Sequence, residues 1–323
     1  MSESTLSPAY ADLRADIGWL LGYTRTSGSW SADQILDIED CLLSGLRQFF
    51  FPPAPFAGYR WNFFRPITTL TTSAPYSTGT VTVVDGVVTL ASGTFPTWAA
   101  AGVFVYSNNV YEINTRDSGT QITLVDLPLD VSAGASYEVN QQDYDLDDDF
   151  GYVNGDLTYA PELSWPPIKP TNDSDIRRMR QLSSQTDRPL WYAVRPKAAT
   201  LTTGQRFEML FYPTPDEALR ITFPYQPLPG KLTSTNIYTY GGMQHGETLL
   251  ESCLAIAEQR MNDVAGLHTQ KFMERLSASV EVDKRLLPPN MGYNGDRSDR
   301  SRATWERAPS SGYATYGGAL YTG

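Results

Sequence analysis

The chain has 323 residues, 41% of them hydrophobic, 19% charged and 12% aromatic, with a formal net charge of −11. That is enough apolar material for a buried core and more than one module, while 22 prolines and 25 glycines favour strands, tight turns and ordered loops over a helical bundle. The negative charge excludes the basic footprint of a protein that grips nucleic acid, no apolar run reaches the ~18 residues that span a bilayer, and MSESTLSPAYADL lacks the basic and apolar segments of a signal peptide.

In chain order, Ser7 is placed to cap a first helix with Pro8 in its opening turn. Tyr10, Leu13, Ile17, Leu20 and Leu21 form its apolar face, and Gly22 ends it. A second helix runs from Ser31 to Phe50, where Ser31 and Gln34 make a capping-box pattern. Its stripe is Ile35, Ile38, Leu42, Leu46 and Phe49, and Pro52, Pro53 and Pro55 stop it. Residues 59–72, YRWNFFRPITTLTT, are aromatic and β-branched and predict a long strand.

From Thr78 to Val139 six short strand candidates follow one another. TVTVV and VVTL flank Asp85-Gly86, a type I′ hairpin signal, and VFVY and VYEIN flank Asn108-Asn109. Gln121–Val125 and Ser136–Val139 complete the set. Short strands at this spacing predict a small barrel or sandwich, inserted at residues 73–140. In the acidic run Asp143–Gly151, Asp143, Asp145 and Asp147 alternate as in a calcium loop, but no glutamate arrives at the terminal ligand position. It reads as an exposed acidic turn, with a cation site as the alternative.

Ser174 is placed to cap a short helix whose Arg177, Arg178 and Arg180 form the only local basic cluster. These arginines suit intersubunit salt bridges or a solvated face, with phosphate contact as the alternative. Strands are expected at Leu190–Arg195, Gln205–Tyr212 and Ala218–Tyr225, the last two as a hairpin across PTPDE. With the Tyr59 strand they predict one antiparallel sheet for the helices to pack on.

Glu247–Leu287 then carries the longest apolar stripe, Leu250, Leu254, Ala257, Met261, Val264, Phe272 and Leu276. Gly266, costly in a helix interior, favours a break or kink there, with one unbroken helix over the whole stretch as the alternative, and Pro288-Pro289 end the helix. This helix is expected to pack on Ser31–Phe50, bringing Cys41 and Cys253 into one core as free thiols; a disulfide between them is the alternative. The predicted class is α+β: a discontinuous helical and β core (1–72 and 141–287), the inserted β-domain (73–140), and an extended C-terminal arm (288–323). The arm is rich in aromatic residues, unlike most disordered tails. Met291, Tyr293, Trp305, Tyr313, Tyr316 and Tyr321 are its candidate partner-binding residues, against the bland reading of a loose terminus.

Signals for chemistry are sparse. His245 and His268 are the only histidines, and neither has a cysteine or second histidine at metal-ligand spacing. There is no GxGxxG or Walker A loop, and nothing singles out a carboxylate pair for glycoside hydrolysis. The chain therefore predicts no cofactor, no metal site and no enzyme.

Five segments, in order, resemble the head-to-tail adaptor (connector) proteins of tailed bacteriophages: GLRQFFFPP, YRWNFFRPITTLTT, YDLDDDFG, GQRFEMLFYPTPDEALRITFPY and GGMQHGETLLESCLAIAE. They carry weight as an ordered set rather than singly. One departure is Asp147, where the family more often has proline, which leaves this turn looser. The resemblance implies a structural protein of the virion neck, assembled in the host cytoplasm as a homo-oligomeric, commonly dodecameric ring. That ring would sit beneath the portal protein, extend the DNA channel and receive a downstream stopper or tail protein. Net negative charge suits a channel to which passing genomic DNA does not stick. The competing expectations are a carbohydrate-binding or host-recognition virion protein, suggested by the β-domain and aromatics, and a cell-wall hydrolase.

Overall fold

The computed structural model describes residues 4–125, 129–200, 202, 204–285, 314–316 and 319–321. The fold is α+β. Among the described residues there are five α-helices: α1 (Tyr10–Leu20), α2 (Ala32–Phe50), α3 (Asp173–Leu182), α4 (Gly242–Asn262) and α5 (Leu267–Lys284). None is long and apolar enough to cross a membrane. The described residues divide into two compact units, one within 1–66 and 227–285 and the other within 67–226 together with 314–316 and 319–321.

The first unit is helical. Its core is built from Leu13 and Ile17 of α1, Ile38, Cys41, Leu42 and Phe49 of α2, Leu249 and Cys253 of α4, and Phe272, Leu276 and Val280 of α5. Both cysteines are free and buried, and burial raises the pKa of each thiol. The capping box at α2 forms: the Gln34 N–H donates to Ser31 Oγ (3.3 Å) and the Ser31 N–H to Gln34 Oε1 (2.9 Å). The break expected near Gly266 separates α4 from α5. Glu258 Oε2 accepts the first N–H groups of α5, from His268 (2.9 Å) and Thr269 (3.4 Å). A Cβ on Gly266 would meet that carboxylate at 2.4 Å, so glycine leaves room for the cap.

Two expectations for this unit are corrected. Ser7 does not cap α1. The helix starts at Tyr10, where Asp12 Oδ2 accepts the N–H of Ala9 at 3.0 Å, and Pro8 packs on Gly246 instead. Residues 59–66 are not strand. Asp283 takes the backbone N–H groups of Asn62 and Phe63 at 2.7 and 3.2 Å, while Trp61 and Phe64 turn into the helical core. A segment whose N–H groups bond to a carboxylate is lost to a sheet ladder.

Among the described residues, 67–226 carry α3 and fifteen strands. They are β1 (Ile67–Thr71), β2 (Val81–Val84), β3 (Val87–Leu90), β4 (Gly102–Tyr106), β5 (Asn109–Arg116), β6 (Gln121–Leu124), β7 (Val131–Ala135) and β8 (Glu138–Gln141). They continue with β9 (Asp143–Asp145), β10 (Phe150–Val153), β11 (Thr158–Tyr159), β12 (Lys169–Pro170), β13 (Trp191–Thr200), β14 (Gly204–Tyr212) and β15 (Arg220–Pro227). A seven-stranded sheet in the order β7-β2-β3-β6-β5-β4-β8 curls around Val81, Val88, Phe95, Phe104, Ile122 and Val139. Asp85 and Gly86 both have positive φ, +50° and +74°, as a type I′ turn requires. The second hairpin turns one residue early, at Ser107-Asn108, because Tyr106 pairs with Asn109. β7 escaped the sequence reading, since VSAGA is poor in large apolar residues.

The strands after this sheet do not form the single sheet expected. β1, β10 and β11 pair with β15, and β12-β13-β14-β9 make a separate sheet. β14 is hairpinned to β13, not to β15. The PTPDE segment holds them apart: Thr214 exchanges backbone bonds with Gln185 and Asp187, and Thr72 takes Leu219. The two sheets share a core of Tyr144, Phe150, Phe211, Ile221 and Phe223. Residues 67–72 and 141–226, assigned by sequence to the discontinuous helical and β core, fall in one compact unit with 73–140, because they bury their side chains in a core of their own. Near the end of the chain β16 (Ala314–Tyr316) pairs antiparallel with β17 (Ala319–Tyr321).

Candidate functional site

The arginines of α3 part company. Asn172, not Ser174, holds the N-cap position, and its side chain makes no capping bond. Arg177 pairs with Asp173 at 3.0 Å and Arg178 with Asp175 at 3.2 Å, with side chains 62% and 71% exposed. Arg180 is 13% exposed. Its Nη1 donates to Asp143 Oδ1 at 2.9 Å, and its Nη2 to the carbonyls of Gln142 (2.7 Å) and Phe211 (3.0 Å).

The other oxygen of Asp143 accepts from Arg195 Nη2 at 2.9 Å, and Arg195 Nε donates to Glu208 Oε1 at 2.5 Å. Arg195 and Glu208 face each other across the β13–β14 hairpin. Burial opposes the charge on Arg195, but Glu208 and Asp143 outweigh it and raise its pKa. Arg180, Asp143, Arg195 and Glu208 thus form one alternating chain of charge tying α3 to β9, β13 and β14. Arg195 and Glu208 were not singled out from sequence. Their only signal is a charge inside each of two apolar strands, LWYAVRP and RFEMLFY.

The acidic run is engaged along its length. Lys197 Nζ lies 2.6 Å from Asp145 and Arg206 Nε 3.0 Å from Asp148. Thr68 donates to Asp147 at 2.9 Å, and the Tyr225 hydroxyl to Asp149 at 3.1 Å. The carboxylates point to separate partners rather than to one centre, and among the described residues no three His, Cys, Asp or Glu side chains are grouped to hold a metal. Beside the run lies an open groove of about 910 Å³ between β1 and β9, with Trp98, Lys197 and Phe223 among its walls.

The histidines are both structural in their contacts. His268 Nδ1 lies 2.7 Å from Glu251 Oε2, joining α5 to α4. His245 is 2% exposed. Its ring is 4.8 Å from that of Phe63 and 5.4 Å from Trp61, and its Nδ1 has no hydrogen-bond partner among the described residues. Burial lowers its pKa, with Asp283 pulling weakly the other way. The sequence signal missed here is the aromatic surplus of Phe49, Trp61 and Phe63. Of the candidate arm residues, Met291, Tyr293, Trp305 and Tyr313 lie outside the described residues, while Tyr316 and Tyr321 stand in β16 and β17.

The arrangement can hold charge and fix strands. No protein-family model and no curated protein matches the chain.

Proposed function

We propose that this chain is a head-to-tail adaptor of a tailed bacteriophage. It acts by assembly rather than catalysis, as a homo-oligomeric, commonly dodecameric ring at the virion neck. The ring lies beneath the portal protein, extends the DNA channel and receives a downstream stopper or tail protein. In this reading residues 73–140 are a small inserted β-barrel or sandwich beside a core of helices and antiparallel sheet, and 288–323 are an arm that reaches a partner.

One observation supports this most. The five segments that carry the family resemblance are spread over residues 45–258, and they meet within each unit. Phe49, Trp61, Phe63 and His245, from GLRQFFFPP, YRWNFF and GGMQHGE, stack together. ITTLTT, YDLDDDFG and the 204–225 segment meet through β1–β15, β9–β14 and the Thr68–Asp147 bond. The formal charge of −11 suits a wall past which DNA slides without adhering.

Electron microscopy of the purified protein and of virions tests the reading. A closed ring at the neck supports it. A monomer that binds a glycan, or a ring that retains DNA tightly at physiological salt, overturns it.

A further inference from the structure

We propose that the free edge of β1 is a strand-addition site, and that its occupant is the β16–β17 pair of a second copy of this chain. The inference rests on the ring reading above and names the contact that closes the ring. β1 pairs only with β15, in regular register over all five residues. Thr72 N–H donates to Leu219 O at 2.9 Å, so alternation along an antiparallel strand turns the N–H and C=O of Ile67, Thr69 and Thr71 away from β15. No partner strand meets that edge among the described residues.

Exposed edges are normally blunted by charge, proline, bulges or a covering segment. The outer strand β12 is Lys169–Pro170, and β8 is covered at Val139 by Tyr76. β1, ITTLT, carries none of these devices, and Ile67 is 70% exposed. The groove of about 910 Å³ along it has β9 as its far wall, leaving room for added strand.

The occupant follows from the chain itself. β16 and β17, ATY and ALY, are uncharged three-residue strands paired only with each other. A two-stranded ribbon is marginal in water until a further strand supports it. Residues 286–313 link the ribbon to α5; at roughly 3.3–3.6 Å per residue such a linker spans up to about 90–100 Å, enough to reach a neighbour. A ribbon on one copy and an edge on the next make a heterologous contact, the type that closes a ring.

The test mixes two full-length single-site variants, Thr69→Cys and Thr315→Cys, with a short bis-maleimide; native Cys41 and Cys253 are buried. Thr69→Pro, which removes an N–H that β15 does not use, is followed in parallel by native mass spectrometry and electron microscopy. Cross-linked dimers only in the mixture, with assembly by Thr69→Pro shifted to at least tenfold higher concentration, are the expected result. A full-length double variant, Thr69→Cys with Thr315→Cys, is treated alone at the same concentration; cross-links confined to single chains there, with none between chains in the mixture, overturn the second-copy occupant. Rings that persist in Thr69→Pro without any cross-link overturn this inference and leave the adaptor reading standing. A wild-type chain that forms neither ring nor cross-link overturns both.

Discussion

Gly45 of α2 and Cys253 of α4 are in backbone contact: a Cβ at Gly45 would lie 2.6 Å from the Cα of Cys253. Ser252 Oγ donates to the Gly45 carbonyl at 2.8 Å, so the crossing is fixed by a hydrogen bond as well as by packing. Gly45→Ala gains about 1 kcal/mol of helix propensity. It must also push two helices apart in a filled core, and overpacking typically costs about 1–3 kcal/mol and occasionally more. Because the contact is with backbone, the cost lies at the upper end of that range, and a net destabilisation of about 2 kcal/mol is expected in urea unfolding followed by helix circular dichroism. A neutral or stabilised variant would show that the crossing is loose.

Asp283 holds the 59–63 turn against α5. It is fully buried, and its carboxylate accepts from the Tyr59 hydroxyl (2.8 Å), the backbone N–H of Asn62 (2.7 Å), the Asn62 amide (3.0 Å) and the backbone N–H of Phe63 (3.2 Å). Asp283→Ala orphans several of these donors at about 1–3 kcal/mol each, so a loss of at least about 3 kcal/mol is expected. Faster backbone exchange at Asn62 and Phe63 should accompany it; unchanged exchange there would mean that water replaces the carboxylate without penalty.

Where local chemistry decided the outcome, the sequence was a sound guide. The Ser31/Gln34 box, the Asp85-Gly86 turn and the break at Gly266 each depend on residues a few positions apart. The misreadings arise where a distant residue wins. YRWNFF has strand composition, but Asp283, more than 200 positions away, takes its N–H groups. β14 and β15 look like a hairpin, but β14 finds β13 and β15 finds β1. Arg177, Arg178 and Arg180 look alike as a cluster on one short helix, and distant partners, Asp143 with the carbonyls of Gln142 and Phe211, separate the last from the others.

That separation is measurable. Arg177→Ala and Arg178→Ala remove exposed pairs within one helix and should change stability by no more than about 0.5 kcal/mol. Arg180→Ala strips Asp143 of one guanidinium and leaves the carbonyls of Gln142 and Phe211 short of a donor. Removing one partner of a buried pair costs about 3–5 kcal/mol; with both side chains 13% and 19% exposed, solvent screening reduces this to about 2–3 kcal/mol. Thermal unfolding of the three variants side by side gives the comparison. Equal effects would dissolve the distinction between a buried hub and a solvated face.

His245 gives the helical unit a pH dependence of definite sign. Its ring is enclosed by Phe49, Trp61 and Phe63, and burial lowers its pKa against the smaller opposing pull of Asp283. In the unfolded chain the imidazole takes a proton near its ordinary pKa of ~6.5. Below that pH the unfolded state binds more protons than the folded one, so stability falls as pH falls, by at most about 1.4 kcal/mol per pH unit, until the folded pKa is passed. Above about pH 7.5 the ring is neutral in both states and the contribution is flat. Unfolding midpoints at pH 7.5 and pH 5.5 should therefore differ more for the native chain than for His245→Leu, which cannot titrate. The same pH difference in both would assign the acid sensitivity to other groups and leave His245 a packing residue alone.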